Sequence, residues 1–239
     1  MIDLHCHILP GLDDGAQTLE EALEMARAAR EDGIEKIVAT PHLFRNNFIW
    51  KDFGIIEEKR QELSRALKKN DINVEIFPGA EVHISHNLTK AIKEHKDFLV
   101  LNHSSYMFVE FPSEHVFSWV KRLFFELMSE GITPIIAHPE RNSVFTHNPG
   151  LLYDLVQMGA LSQANSGSFS GLYGNKAKEG VYQFLELRLI HFIATDGHNT
   201  HSILPKLSKA LEKAAEVVGE KESYHLVREN PQAVLDDKE

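Results

Sequence analysis

Histidine, aspartate and glutamate recur in this chain just after short apolar segments. His5 and His7 stand in LHCHI, followed by Asp13 and Asp14 in LDDG; His42 ends ATPH, and Glu81 and His83 stand in PGAEVH. Glu110 lies in FVEF, His138 with Arg141 in AHPER, and Asp196 with His198 in ATDGH. Imidazole and carboxylate without thiolate suit Mn, Fe, Co or Zn, and argue against a structural cysteine–zinc site. A His-x-His pair on a strand puts both rings on one face, because side chains alternate with period two. Each motif alone is weak; the set is specific because its members share one position relative to the apolar runs. So many ligands exceed the needs of one ion, and two or three ions sharing a bridging carboxylate would use them better. Clustered divalent ions lower the pKa of a bridging water, giving hydroxide near neutral pH, and neutralise phosphoryl oxygens. That chemistry fits phosphate-ester hydrolysis, with Arg141 adding a bidentate contact to the phosphate.

Seven β-rich runs, each followed by a helical pattern, must position these side chains. The runs are residues 1–5, 36–40, 74–78, 106–110, 133–137, 161–164 and 191–195. Helices are predicted from Thr18 to Gly33, over 55–69, 88–94, 114–130, 149–158, 175–187 and 203–218, with a last one near 222–229. Thr18 and Glu21 form a capping box, and Leu19, Leu23, Ala26 and Ala29 follow at helical spacing. Strand–helix alternation implies parallel pairing with right-handed crossovers. No glycine-rich phosphate loop follows the first strand, which weakens a nucleotide-binding doubly wound sheet. The expectation is therefore α/β: a distorted barrel of seven strands and helices, one domain over residues 1–239. In such a barrel active sites gather at the C-terminal strand ends, where the candidate ligands lie. Asn165 and Ser166, after the sixth strand, are candidate substrate contacts.

Composition narrows the function. The 239 residues carry 43% hydrophobic and 25% charged side chains, as an ordinary globular chain does. A formal charge of −10 argues against a nucleic-acid binder, whereas three divalent ions would bring it to −4 and offer local positive charge to an anionic substrate. No apolar run is long enough to span a bilayer. The N-terminal MIDLHCH lacks the pattern of a secretory signal, and one cysteine suits a reducing compartment, so the cytoplasm is expected.

Rival nucleophiles fail on spacing. Cys6 is followed six residues later by Leu12 rather than the arginine of a cysteine phosphatase loop, and on a strand it points away from His5 and His7. It reads as a core residue. SGSFSG at 166–171 nearly suggests a serine elbow but lacks the strand-to-helix setting with a free His and acid, and reads as a flexible hydroxyl-rich loop.

Together MIDLHCHILPGLDDG, ATPH, PGAEV, VEFP, IIAHPERN and ATDGHN closely resemble the bacterial metal-dependent protein tyrosine phosphatases of the polymerase and histidinol phosphatase (PHP) superfamily. The motifs run from residue 1 to about 200. The resemblance implies a PHP-type barrel with three metals, usually manganese, although Fe, Co, Zn or Mg would also suit the ligands. It places His5, His7, Glu81 and Asp196 on the first ion. Glu81 bridges to a second, also held by Glu110 and His138. Asp14, His42 and His198 hold the third, and Arg141 grips the phosphate. The implied substrate is phosphotyrosine on a bacterial tyrosine kinase controlling capsule or exopolysaccharide synthesis. A small-molecule phosphatase of the same superfamily, acting for example on histidinol phosphate, is the alternative. The segments Phe44–Lys51 and Ser166–Gly174 would decide between them. An amidohydrolase acting on C–N bonds ranks lower, because Glu110 stands where many carry lysine; a metal-stabilised regulatory protein is the non-enzymatic reading. Two departures stand out. Relatives often carry an arginine soon after the ATDGHN-like motif, whereas Thr200–Lys206 contains none, and Leu43 follows the ATPH histidine where some have a basic residue or His. Lys206 or Arg45 would substitute.

Overall fold

A computed structural model describes residues 1–45 and 53–238. Parallel strands and helices alternate along it. The strands are β1 (Ile2–Cys6), β2 (Lys36–Ala39), β3 (His42–Leu43), β4 (Glu75–Pro78), β5 (Glu81–His83), β6 (Tyr106–Glu110), β7 (Thr133–Ala137), β8 (Leu161–Asn165) and β9 (Phe192–Ala194). The helices begin with α1 (Leu19–Glu31), α2 (Gly54–Lys69), α3 (Leu88–Leu99) and α4 (Val120–Ser129). They continue with α5 (Ser143–His147), α6 (Pro149–Gln157), α7 (Ser166–Ser170), α8 (Asn175–Glu186), α9 (Ser208–Val218), α10 (Glu220–Tyr224) and α11 (Asn230–Leu235).

Two of the seven predicted strands are each followed by a further short strand that lies beyond the predicted run. Thr40-Pro41 separates β2 from β3 and Gly79-Ala80 separates β4 from β5, so the pairing forms one sheet ordered β1-β2-β4 and another ordered β3-β5-β6-β7-β8-β9. Proline has no N–H to donate, which favours a break in the ladder at that point. Across the break, Glu81 N still donates to the Pro41 carbonyl at 3.1 Å. The segment after β9 meets the end of β1: Asp196 N donates to His5 O and His7 N to Gly197 O, both at 2.8 Å.

Strand residues sort into two cores. Leu4, Val38, Phe108, Ile135, Ala137 and Phe192 form a smaller cluster with Val234 and Leu235 of α11. Their alternates Ile37, Ala39, Met107, Val109, Ile136 and Ile193 join the helices in the larger one. Both faces of the strands are thus buried, as parallel strands require. In β1 the register with β2 shifts between Asp3 and Cys6. Leu4 belongs to the smaller cluster and Cys6 to the larger, while the His5 ring lies 4.8 Å from that of Phe108. The shift therefore puts His5 on the Leu4 side and leaves Cys6 packed on the other.

Several helix limits differ from expectation. In α1, Thr18 accepts from Glu21 N at 3.2 Å, but the Glu21 carboxylate accepts from Gln17 N at 2.9 Å instead of closing the box on Thr18. The buried face is Ala22, Met25, Ala26 and Ala29, which join the larger core. Residues 114–119 are not helical: His115, Phe117 and Trp119 stack in a row, with His86 3.8 Å from Trp119. The helix predicted from 203 starts at Ser208, because Pro205 disfavours helix for the residue before it. The Asp32 carboxylate then receives Leu207 N at 2.6 Å and Ser208 N at 2.9 Å. Ser166–Ser170 is a helical turn rather than an open loop.

Candidate metal centre and phosphate site

The C-terminal strand ends deliver the chemistry to one place. His5 Nε2 and His7 Nε2 stand 3.2 Å apart. Each ring is turned by a partner behind it: His5 Nδ1 lies 3.0 Å from Gln163 Oε1, and His7 Nδ1 lies 2.7 Å from Asp13 Oδ2. With those Nδ1–H groups donating, both Nε2 lone pairs face the cluster, the arrangement that metal-ligating histidines favour. Asp196 Oδ1 sits 3.4 and 3.3 Å from the two Nε2 atoms, and Glu81 Oε2 sits 3.5 Å from each. His42 Nδ1 is 2.8 Å from the same Glu81 oxygen, and His138 Nε2 is 2.8 Å from Glu81 Oε1.

Three groups have ligand atoms close enough to share an ion: His5, His7, Glu81 and Asp196; His7, Asp14, His42 and His198; and His42, Glu81 and Glu110. His138 stands against Glu81 beside them. His83, not chosen as a ligand from sequence, has Nδ1 3.1 Å from Glu110 Oε2. The residues fit divalent cations on a physical test. Glu81 Oε2 is fully buried with His42 Nδ1 at 2.8 Å and the Nε2 atoms of His5 and His7 at 3.5 Å, and a carboxylate oxygen buried among several imidazole nitrogens is the setting in which a divalent cation would compensate the charge.

Charge coupling in the cluster is strong. Burial alone would lower the pKa of His5, but Glu81 and Asp196 hold it above its ordinary value. Burial opposes protonation of His7 as well, and Asp13 outweighs it. His42 rises to about 9, its burial overcome by Glu81 and Asp14. Glu81 and Asp196 are pushed up by burial and pulled well below the carboxylate range by His5 and its neighbours. Asp14, half exposed, is lowered by hydrogen bonding with His198 and His42.

Adjacent acids play separate parts. Asp13 is buried and accepts from His7 Nδ1, from His42 N at 2.9 Å and, through its other oxygen, from Gly15 N at 2.9 Å. Asp14 turns outward to within 3.3 Å of His42 Nε2 and 3.5 Å of His198 Nε2. Gly15 makes the tight loop possible, since a Cβ there would lie 2.0 Å from His7 O. His138 and Asp196 both adopt positive φ, 32° and 51°. Such backbone is uncommon for non-glycine residues and recurs where side chains are aimed at a site.

The chain's own cations border the cluster. Arg141 Nη1 donates to Asp196 Oδ2 at 2.6 Å, and the Asn165 amide donates to the same oxygen at 2.6 Å. Arg45 Nη1 lies 2.6 Å from His42 Nε2 and 3.3 Å from Glu110 Oε1. Arg45 and Arg141 line one tight pocket with Glu110 and His138. Ser166 and Lys206 instead line a neighbouring cavity of about 580 Å³ with Phe169, Leu172 and Ile203. Residues 46–52, most of the Phe44–Lys51 segment, lie outside the described residues.

Residues 1–236 match the family described as capsular polysaccharide synthesis, CpsB/CapC. The chain belongs to that family. It is 43% identical over 200 residues to the tyrosine-protein phosphatase YwqE of Bacillus subtilis, covering 83% of this chain and 78% of the relative. It is 30% identical over 243 residues to the tyrosine-protein phosphatase CpsB of Streptococcus pneumoniae, covering 100% and 99%. A crystal structure from work on YwqE and CpsB, described as unique metal-dependent tyrosine phosphatases, superposes with a TM-score of 0.94 at 38% identity, over 100% of this chain and 96% of that one. No helix among the described residues is long and apolar enough to cross a membrane.

Four contributors to this CpsB/CapC-family site have no role that residue types and spacing assign. Gln163 lies two residues before Asn165 on β8, so period two carries a signal for it. Asp13 is visible beside Asp14, but the sequence gives the two acids no separate roles. Glu140 is buried, accepts Asn165 N at 2.8 Å and the Ser168 hydroxyl at 2.6 Å, and has its carboxyl pushed up by burial. Tyr173 comes over Arg141 from a turn beyond α7, and no local pattern announces it.

Proposed function

We propose that this chain is a metal-dependent protein-tyrosine phosphatase. The observation that carries the reading is one buried imidazole–carboxylate cluster flanked by two arginines that line a single pocket. His5, His7, Glu81 and Asp196 would hold one ion, Glu81 with Glu110 and His138 a second, and Asp14, His42 and His198 a third, with manganese the favoured metal. When bound, such ions neutralise phosphoryl charge and lower the pKa of a coordinated water.

The protein groups do the rest. Gln163 and Asp13 accept from Nδ1 of His5 and His7, so that with ions bound the two Nε2 lone pairs would face them. The Asn165 amide holds Asp196 Oδ2, leaving Oδ1 facing those nitrogens. Arg141 and Arg45 both line the pocket and would take the phosphoryl oxygens once the metals satisfy Asp196 and Glu110. Arg45 shares Arg141's pocket whereas Lys206 lines another cavity, so Arg45 is the better substitute for the missing arginine. Ser166, facing that second cavity, would contact the protein flanking the phosphotyrosine.

The fold reading is a distorted seven-stranded PHP-type barrel forming one domain over residues 1–239. It is supported by the contacts of Asp196 and Gly197 with β1 and by the two-sided burial of the strands. The substrate reading is a phosphorylated bacterial tyrosine kinase of capsule or exopolysaccharide synthesis, in keeping with the family. The buried lone Cys6 suits a cytoplasmic setting.

The test is phosphate release from a phosphotyrosyl peptide and from histidinol phosphate, each with Mn²⁺ and with chelator. Chelator-sensitive turnover favouring the peptide is the expected result. Preference for histidinol phosphate would overturn the substrate assignment, and no turnover on either would overturn the phosphatase reading.

A further inference from the structure

The turn after α7 presents one aromatic residue to the site. Gly171 and Gly174 both adopt positive φ, 82° and 91°, and Gly174 N donates to Gly171 O at 2.9 Å. This left-handed backbone is open to glycine and strained for other residues. Between them Leu172 is exposed, while Tyr173 folds back so that its ring packs on Gly167, where an added Cβ would come within 3.1 Å of the ring edge. The ring face receives Arg141: the guanidinium carbon lies 4.3 Å from the ring centroid. The same guanidinium donates to Asp196 at 2.6 Å, so two contacts fix its position.

Those contacts differ in durability. A carboxylate that ligates a metal shares its charge with the ion and holds a neighbouring arginine less firmly. A π-face is indifferent to metal loading, and cation–π attraction strengthens when water is excluded. An arginine that must move from a carboxylate to a phosphoryl group benefits from a flat support that leaves its fork of donors free. Arg141 meets the face of the ring, and the Tyr173 hydroxyl makes no hydrogen bond to it. The ring is the part in contact.

We propose that Tyr173 is a positioning residue for Arg141, its aromatic face holding the guanidinium in register for the phosphoryl group. The assignment rests on the phosphatase reading above and concerns the same site. It also explains the SGSFSGLYG segment, in which α7 and its glycine turn carry the ring to the arginine.

The experiment uses the full-length Mn²⁺-loaded protein as wild type, Tyr173→Phe, Tyr173→Leu, Arg141→Ala and the Arg141→Ala/Tyr173→Leu double variant. It reads inhibition by inorganic phosphate, kcat and KM on a phosphotyrosyl peptide, and thermal unfolding. Tyr173→Phe, which keeps the ring, should match wild type within about twofold, whereas Tyr173→Leu should weaken phosphate inhibition roughly 5- to 30-fold. In the Arg141→Ala background the Leu substitution should add nothing, a non-additivity that a merely structural residue would not give. Phosphate inhibition unchanged in Tyr173→Leu, an equal loss in Tyr173→Phe, or a further loss in the double variant would each overturn the assignment. A wild type without metal-dependent turnover would instead strike the functional reading, so the two failures are told apart by the first sample measured.

Discussion

The Asp13 carboxylate accepts from His7 Nδ1 at 2.7 Å and from His42 N at 2.9 Å, so one buried side chain orients two histidines. Groups behind metal ligands tune affinity by fixing tautomer and ring direction, typically by 10- to 100-fold. Asp13→Asn keeps the shape but weakens acceptance from His7, and should lower Mn²⁺ affinity by about that factor in calorimetric titration. Wild-type affinity in the variant would count against the orienting role. Arg141 acts differently, because it is not a candidate ligand and its guanidinium donates to one, Asp196. Arg141→Ala should leave the unfolding midpoint nearly unchanged while turnover on a phosphotyrosyl peptide falls by roughly 10²- to 10³-fold, the usual cost of removing a donor from developing charge. Turnover near the wild-type rate would remove Arg141 from the phosphate site.

At the scale of elements, the end of β8 is tied to the turn after β7 by Glu140. Its Oε1 accepts both Asn165 N and the Ser168 hydroxyl, so it anchors the start of α7 as well as the residue that braces Asp196. Glu140→Ala leaves those donors without their acceptor inside the protein. The expected loss is about 1–3 kcal/mol in urea unfolding, accompanied by weaker phosphate inhibition, because α7 leads to the turn that carries Tyr173. Stability within a few tenths of a kcal/mol of wild type would mean that the anchor is dispensable.

At the scale of the whole molecule, buried carboxylates and imidazoles make the fold depend on what compensates them. Ions bound at 100 times their dissociation constant add about 2.7 kcal/mol by mass action. For a chain of this size that corresponds to a fall in thermal midpoint of roughly 5–10 °C on chelation, readable by calorimetry; an unmoved midpoint would argue against tight metal binding. A second contribution comes from His191, the residue before β9. Its burial pulls its pKa down to about 4 from 6.5, while Ser162 N donates to its ring at 3.1 Å. A histidine kept neutral in the fold stabilises above pH 6.5, and that stability is lost as pH falls toward 4. The loss should be on the order of 2–3 kcal/mol. His191→Asn should flatten this part of the stability profile, and parallel profiles for variant and wild type would refute it.

The alternation of strand and helix, and the position of the candidate ligands at strand ends, are legible in the residues alone. Both follow from local rules: apolar runs make buried parallel strands, and a chain leaving such a strand must pass the same rim each time. The shift in β1 is not legible in this way. Strict alternation would put Leu4 on the Cys6 face, whereas the shift places Leu4 and His5 together and leaves Cys6 outside. The same holds for the breaks at Thr40-Pro41 and Gly79-Ala80, and for the non-helical residues 114–119, where ring stacking replaces helical packing. Folding in three dimensions is what turns Asp13 inward and Asp14 outward, brings Arg45 into a pocket with Arg141, and lays Tyr173 over that arginine. Each of these is a relation between segments brought together by how strands pair and where turns return, and no local pattern of residue types encodes it.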